Sequence, residues 1–385
     1  MDLQAVSGDD PREVLRAVRA AIDGAGPALG LGMVDTAPRE VPAGTAVVVT
    51  TSGSTGIPKS VVLSRTALTA GARATAARIG EGAWLLALPA SYVAGLQVLV
   101  RSIVSGREPT MLTGAFTPQA FAAAARDMAS ATGAREVPAY TSLVPAQLTK
   151  LLDAAEHDAA VGDALRSFEA ILVGGQSLPA AVYDRARECG ARIVRTYGST
   201  ETSGGCVYDG VPLDGVELRL VDGEVQVAGP TLADGYLDDP ERTEATFVRD
   251  GDGTRWYRTG DAGVITDGVL AVRGRLDNVI ISGGVNISLD RVEQVVRGVP
   301  GLANAVVVAV PDARWGEASV IVCARGNALR RSDADHLAAA RSAVADEIGA
   351  HARPVRLVLL DEVATLASGK PDREAIRQAV RQTPH

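Results

Sequence analysis

Between residues 46 and 198 the chain repeats one pattern: a short apolar run, a turn of glycine, proline or small hydroxyls, then a helical segment. Strand-like stretches lie at 46–49, 61–63, 84–88, 168–173 and 192–197, the last two apolar only in part, and the last three close on Pro89, Gly174-Gly175 and Gly198. Runs this short, bounded by turn residues, read as buried strands. The segments between them carry helix-start chemistry. Ser64 can cap a helix to about Ile79, and Thr117-Pro118 places a cap and then proline at the first helical position. Residues 92–104 read as an apolar helix, a short helix runs through Leu152, and Ser177-Leu178-Pro179 opens one that reaches Cys189. Pro11 starts another over 11–22. Strand alternating with helix predicts an α/β sheet with ligand loops at its strand ends.

The texture changes near Val216. Short β segments at 217–220, 224–227 and 269–272, with Gly and Asp turns, predict a small β-rich subdomain over 215–274. A boundary falls at 271–277. Beyond it come a helix from Ser288, strands at 305–308, 319–322 and 356–359, an Ala/Arg helix at 332–349 and a last helix after Pro371. They predict an α+β domain over 278–385, about 110 residues and within the usual domain range. A chain of 385 residues exceeds one ordinary core, so a large α/β domain over 1–274 precedes it.

Composition excludes several classes of function. With 46% hydrophobic and 22% charged residues the chain reads as globular. No apolar run is long enough to span a bilayer, so no membrane insertion is expected. Met1-Asp2-Leu3-Gln4 has neither a basic start nor an apolar core, so no secretory signal is read there. The cysteines Cys189, Cys206 and Cys323 make neither a disulfide framework nor a zinc site and suit a reducing cytoplasm. The four histidines are scattered, which argues against a histidine metal site. A net charge of −8 argues against nucleic-acid binding, and an anionic substrate must be drawn by local positive charge. Cations are nearly all arginine. The lysines are Lys59, Lys150 and Lys370, and Lys59 and Lys370 sit in glycine-flanked loops, where a compact ammonium suits point-charge chemistry on phosphate or carboxylate.

Lys59 closes the stretch Thr50-Thr51-Ser52-Gly53-Ser54-Thr55-Gly56-Ile57-Pro58-Lys59, set between two apolar runs. A tight loop with many backbone N–H groups, several hydroxyls and one ammonium suits a guest with many anionic oxygens, such as a triphosphate. It is not a Walker A loop, because Pro58 separates the glycines from the lysine and a strand follows. Six further polar turns come later: Gly174-Gly175-Gln176, Tyr197-Gly198-Ser199-Thr200-Glu201, Tyr257-Arg258-Thr259-Gly260-Asp261, Gly274-Arg275-Leu276-Asp277, Ser282-Gly283-Gly284 and Ser368-Gly369-Lys370. Taken singly, Asp261 reads as a turn residue, Tyr197 as core and Glu201 as a solvated helix start. In this order, over residues 50–373, the seven stretches resemble the adenylate-forming superfamily of acyl-CoA synthetases, peptide-synthetase adenylation domains and luciferases.

The resemblance implies a two-step reaction. A carboxylate attacks the α-phosphorus of ATP to give an acyl-adenylate and pyrophosphate, and the thiol of coenzyme A then displaces AMP. The resemblance implies that Thr51, Ser52, Gly53, Ser54, Thr55, Gly56 and Lys59 hold the β- and γ-phosphates. Gly175, Gln176, Tyr197 and Gly198 would border the rest of the nucleotide, and Thr200 would reach the α-phosphate. Glu201 would ligate Mg2+, an ion that prefers carboxylate and phosphate oxygens. Asp261 would take the ribose hydroxyls, and Arg275 the ribose or phosphate. Lys370 is the expected catalytic group, its ammonium placed where charge grows in the transition state, with Thr200 and Glu201 beside it. The C-terminal domain is implied to swing about a hinge at 275–277, so that either Lys370 or Ser282-Gly283-Gly284 meets the reacting centre.

Three more stretches, at 88–102, 141–148 and 202–210, are similar to the o-succinylbenzoate–CoA ligases of menaquinone biosynthesis, in a short form with a reduced portion before the phosphate loop. o-Succinylbenzoate has two carboxylates, of which one reacts. Arg101, a guanidinium in an otherwise apolar helix, is expected to clamp the other, with Tyr92, Leu143 and Ser203 also at the acid. The alternative for Arg101 is a snorkelling side chain or a structural ion pair. These ligases usually carry histidine where Tyr92 stands, often with another at Ser91, so the acid contact there differs. A ligase for another aryl or acyl acid, an adenylation domain serving a separate carrier and a non-catalytic adenylate-binding protein stay open, as does a homodimer.

Overall fold

The computed structural model describes every residue except 33–38, 52–57, 113, 132–136, 283, 313, 326–331, 367–369 and 384–385, and the side chains of 129–131. Its described strands form four sheets. The second sheet in chain order frames the site. Strands Ile193–Ser199, Ala170–Val173, Ala139–Leu143, Ala83–Leu86 and Thr110–Met111 run parallel, and Gly204–Tyr208 and Val211–Pro212 extend the sheet antiparallel beyond Ile193–Ser199. Every residue of Ala83–Leu86 and Ala170–Val173 is buried, as expected of parallel strands covered on both faces.

Alternation along these strands feeds two cores. Leu172 faces helices Arg65–Ile79 and Val93–Val104 and, beyond them, the first sheet. Ile171 and Val173 face the opposite way, onto helices Pro118–Ala131, Pro145–Ala155, Ala159–Ser167 and Ala180–Glu188. The first sheet runs in the order Gly235–Tyr236, Lys59–Ser64, Thr45–Thr51, Ala28–Leu31, Asp2–Val6, Arg39–Glu40. Helix Val93–Val104 is therefore enclosed between two sheets, which accounts for its apolar composition and buries its one cation, Arg101.

The third sheet, from Glu217–Val221 to Val269–Arg275, is antiparallel. The fourth holds the hairpin Val279–Ser282 and Val285–Ser288, with Gly316–Ala324, Val306–Asp312 and Arg356–Leu360. Helices Leu289–Arg297 and Asp333–Glu347 share one apolar core with this sheet, and Arg373–Gln382 packs into the other. Among the described residues no helix is long and apolar enough to cross a membrane.

Some elements escape sequence patterning. Asp2–Val6 and Ala28–Leu31 are strands, and Ala139–Leu143 is a central one. Ala139–Leu143 carries two hydroxyl residues, and the buried Thr141 hydroxyl donates to the Leu85 carbonyl at 2.9 Å. A side-chain bond of this kind satisfies the polar group in place, so the strand needs no apolar alternation.

Candidate active site

The parallel strands end on one edge, at Leu86, Leu143, Val173 and Ser199, and the polar turns of the sequence follow these ends. Glu201 lies in the 3-10 turn Thr200–Thr202, directly after Ile193–Ser199. Thr202 staples that turn, accepting from the Ser199 N–H at 2.8 Å and donating to the Gly204 carbonyl at 2.7 Å. Gly198 is obligatory, because a Cβ there would lie 2.1 Å from the Gly204 carbonyl oxygen. Glu201 is 2% exposed. Its Oε1 accepts from the Lys59 ammonium and, at 2.9 Å, from the Tyr236 hydroxyl. Burial pushes its pKa up, but the charge of Lys59 and the two donors outweigh burial and hold it below the ordinary glutamate value.

Lys59 opens the strand Lys59–Ser64 and pairs with Thr51 across the hairpin. Its ammonium stands 5.4 Å from the Tyr236 ring centroid. The predicted phosphate-loop residues Ser52, Gly53, Ser54, Thr55 and Gly56 lie outside the described residues, as does Gly283; Thr51 and Lys59 bracket the loop.

A second carboxylate is organised in the same way. The Tyr197 hydroxyl donates to Asp261 Oδ2 at 2.6 Å, and the Arg275 guanidinium donates to Oδ1 at 3.3 Å and to the Thr259 carbonyl at 2.7 Å. Asp261 and Arg275 face each other in antiparallel register. Burial raises the Asp261 pKa against the downward pull of Tyr197 and Arg275. The Tyr197 phenol is pushed up by burial and by the Asp261 charge, so it remains the donor.

Lys370 comes from the C-terminal unit. A loop closed by the Leu366 N–H on the Lys370 carbonyl, 2.8 Å, and the Asp372 N–H on the Ala364 carbonyl, 2.9 Å, carries it to the strand end at Gly175. A Cβ built on Gly175 would stand 3.9 Å from Lys370 Cε. Desolvation draws the ammonium below the ordinary lysine value; Glu201 and Asp261 oppose this, and Lys59 and Arg275 add to it. Lys370 nevertheless remains exposed to solvent. Lys59, Glu201, Asp261, Arg275 and Lys370 thus share one electrostatic neighbourhood.

Other predicted site residues lie around it. Thr200 begins the Glu201 turn, and Gln176 follows Gly175. Tyr92 stands at the N-cap of helix Val93–Val104, Leu143 is buried at its strand end, and Ser203 is buried in the left-handed region at φ 54 with no partner for its hydroxyl among the described residues. Ser282 pairs with Val285 and Gly316 within the C-terminal sheet, and Gly284 is exposed at that hairpin turn. The structure does not bring Arg101 into the cluster. It sits near the far end of the helix that Tyr92 starts, 6% exposed, 4.9 Å from the Trp84 ring and 3.3 Å from the Tyr208 hydroxyl. It does not snorkel to the surface, and among the described residues it forms no ion pair and its Nε has no acceptor. Tyr236 is the contact that sequence reasoning misses. It reaches Glu201 only because Gly235–Tyr236 pairs back onto Lys59–Ser64, and no spacing in the sequence announces that return.

The family described as AMP-binding enzyme matches residues 6–237, and that described as AMP-binding enzyme C-terminal domain matches 291–370. This chain belongs to the AMP-binding enzyme family. It is 40% identical over 338 residues, 86% of this chain and 83% of the relative, to the probable 2-succinylbenzoate–CoA ligase of Mycobacterium tuberculosis. It is 30% identical over 344 residues, 86% of this chain and 68% of the relative, to the 2-succinylbenzoate–CoA ligase of Escherichia coli. Among solved structures it is similar to a variant of E. coli MenE with bound OSB-AMS, with TM-score 0.69 and 26% identity, covering 91% of this chain and 72% of the other.

The donor set of this AMP-binding enzyme fits a nucleotide with its magnesium. Three cations and two carboxylates share this neighbourhood. Glu201 is held below the ordinary glutamate value and commits Oε1 to Lys59 and Tyr236, and a carboxylate has a second oxygen to offer a cation. Among the described residues no group of three or more His, Cys, Asp or Glu forms a metal cage. Magnesium suits such a site, because it keeps waters and takes phosphate oxygens beside one or two carboxylates.

Proposed function

We propose that this AMP-binding enzyme is a 2-succinylbenzoate–CoA ligase, activating o-succinylbenzoate with ATP and passing it to coenzyme A. The convergence of Lys59, Glu201, Asp261, Arg275 and Lys370 on one cleft supports adenylation. A carboxylate oxygen of the acid attacks the α-phosphorus, the bond to the bridging oxygen breaks, and pyrophosphate leaves. Lys370 stabilises the charge that grows between carboxylate and α-phosphate. Lys59, freed from Glu201, steadies the leaving phosphates. Glu201 would hold Mg2+, which would supply charge neutralisation at the phosphates. Asp261 takes the ribose hydroxyls, and Tyr197, its ring fixed by the bond to Asp261, borders adenine. The coenzyme A thiolate then attacks the acyl carbon, and AMP leaves with its oxygen. The unit 278–385 is read as moving about 275–277 to bring Ser282–Gly284 to that second step.

The dicarboxylate substrate is supported by the relatives' names and by Arg101. A buried guanidinium without a carboxylate partner is costly, and an anionic guest relieves that cost. Arg101 lies nine positions beyond Tyr92, roughly 13 Å along the helix at ~1.5 Å per residue, and helical side chains lean back toward the N-terminus. An acid with a carboxylate at each end suits such a span. The deciding experiment is pyrophosphate release with ATP, Mg2+ and a panel of acids. Preference for o-succinylbenzoate, lost in Arg101→Ala, is expected. Preference for a monocarboxylic acid with Arg101→Ala harmless would point to another acyl ligase, and no pyrophosphate with any acid to a binding protein.

A further inference from the structure

Asp290 belongs to none of the polar turns read from the sequence, yet it sits at a joint. It is the second residue of helix Leu289–Arg297. Its Oδ2 accepts the Arg275 backbone N–H at 2.7 Å, and its Oδ1 accepts from the Asn278 side-chain amide at 2.6 Å. Gly274 makes the approach feasible: at φ +130 it has no side chain, and a Cβ there would lie 2.6 Å from Asp290 Cβ. The Arg373 guanidinium stands 3.5 Å from the same carboxylate. Arg373 is three residues past Lys370, at the start of the last helix. It is anchored in turn, donating to the Val307 carbonyl at 2.7 Å and to Glu293 at 2.8 Å. One polar path therefore runs Tyr197–Asp261–Arg275–Asp290–Arg373 and ends at the loop that carries Lys370.

We propose that Asp290 is a positioning residue for Lys370, clasping the C-terminal unit to the strand end at Arg275 in the arrangement that sets the Lys370 ammonium beside Gly175. Two things favour this over a merely helix-stabilising acid. Ser288 already caps the helix through its bond from the Arg291 N–H. Both Asp290 oxygens are spent on groups outside its own helix, one on the last strand of the large unit. Losing the carboxylate leaves the Arg275 N–H without its acceptor and frees the joint, and a displacement of about 1 Å at a reacting group costs about 100-fold in rate. The inference rests on Lys370 acting in adenylation.

The test uses the intact chain and two variants, Asp290→Ala and Asp290→Asn. The first measurement needs no substrate. The chain has only Lys59, Lys150 and Lys370, so the pH dependence of acetylation at Lys370 can be followed by peptide mass. The groups that face Lys370 are Glu201 and Asp261, which hold its proton on, and Lys59 and Arg275, which drive it off. In the wild type the Lys370 midpoint lies below the ordinary lysine value. In Asp290→Ala it moves up toward that value, with Asp290→Asn between the two. An unchanged midpoint in both variants overturns the proposal. The second measurement is pyrophosphate release. Asp290→Ala is expected to lose about 10- to 100-fold in kcat, and the double variant with Lys370→Ala to be no slower than Lys370→Ala alone. Additive losses overturn the proposal. Should Asp290→Ala fail to fold, Asp290→Asn carries both measurements. A wild type that releases no pyrophosphate refutes the ligase reading, and the acetylation result then decides Asp290 by itself.

Discussion

Glu201 and Arg101 are both buried charges, 2% and 6% exposed, and the protein treats them in opposite ways. Glu201 has a cation and a hydroxyl on one oxygen, and its charged form is favoured despite burial. Arg101 has an aromatic face, one long hydrogen bond to a tyrosine and no carboxylate among the described residues, and burial draws its pKa down. The first charge is compensated within the fold and can serve as a fixed electrostatic element. The second is left for something else to compensate. The difference separates a compensated charge from one that, under the proposed function, takes an anionic ligand.

The largest expected effect lies at the compensated end. Lys370→Ala should slow pyrophosphate release by about 100- to 1,000-fold, the range for removing one transition-state donor, while thioester formation from supplied acyl-adenylate stays near normal. Equal losses in both steps would contradict its role. The same half-reaction should fade with rising pH, as Lys370 loses its proton below the ordinary lysine value of 10.5.

At the other end, Arg101→Ala should raise KM for o-succinylbenzoate about 10- to 100-fold, the worth of a charged hydrogen bond of ~1.5–3 kcal/mol. KM for ATP should hold. A parallel rise in both constants would mean that Arg101 supports the fold and not the acid. Arg101→Met sharpens the contrast. Replacing an uncompensated buried charge with an apolar chain of similar length is expected to stabilise the free protein by about 1–4 kcal/mol, read as a higher Tm. A lower Tm would show that the charge is already paired.

The smallest effect concerns Tyr236. Glu201 is held below its ordinary value of 4.5, so its contribution to stability is complete above that pH and is lost as pH falls through the folded-state value. Tyr236→Phe removes one donor and should cost about 1 kcal/mol at neutral pH, with the difference from wild type closing in acid. A gap that persists unchanged at low pH would place the loss in packing and not in the carboxylate.

Much of the fold was legible in residue order. Residues 84–88 and 170–173 read as strands because short apolar runs closed by Pro89 and Gly174 are bounded as strands are, and Ser64, Ser288 and Ser332 cap helices in the structure through their hydroxyls. Ala28–Leu31 was not legible, since four residues that include a glycine carry no period, nor was Ala139–Leu143, whose Thr141 hydroxyl is satisfied by a neighbouring strand. In the site, the polar character of the turns at Lys59, Glu201, Asp261 and Lys370 was visible. Their meeting was implied only by the resemblance that the ordered motifs carry, and the share of Tyr236 and Asp290 in holding them was not legible.

By itself the sequence determined the strand–helix alternation, the glycines where the backbone approaches closely, and which turns carry charge. These properties are local: they depend on a residue and its near neighbours through periodicity, capping and φ. Only the tertiary structure decided that Lys59 would meet Glu201 across 142 residues, that Lys370 would reach Gly175, and that Arg101 would be enclosed between two sheets without a counter-charge among the described residues. Charge compensation is a property of what surrounds a group in space, and spacing along the chain does not encode it.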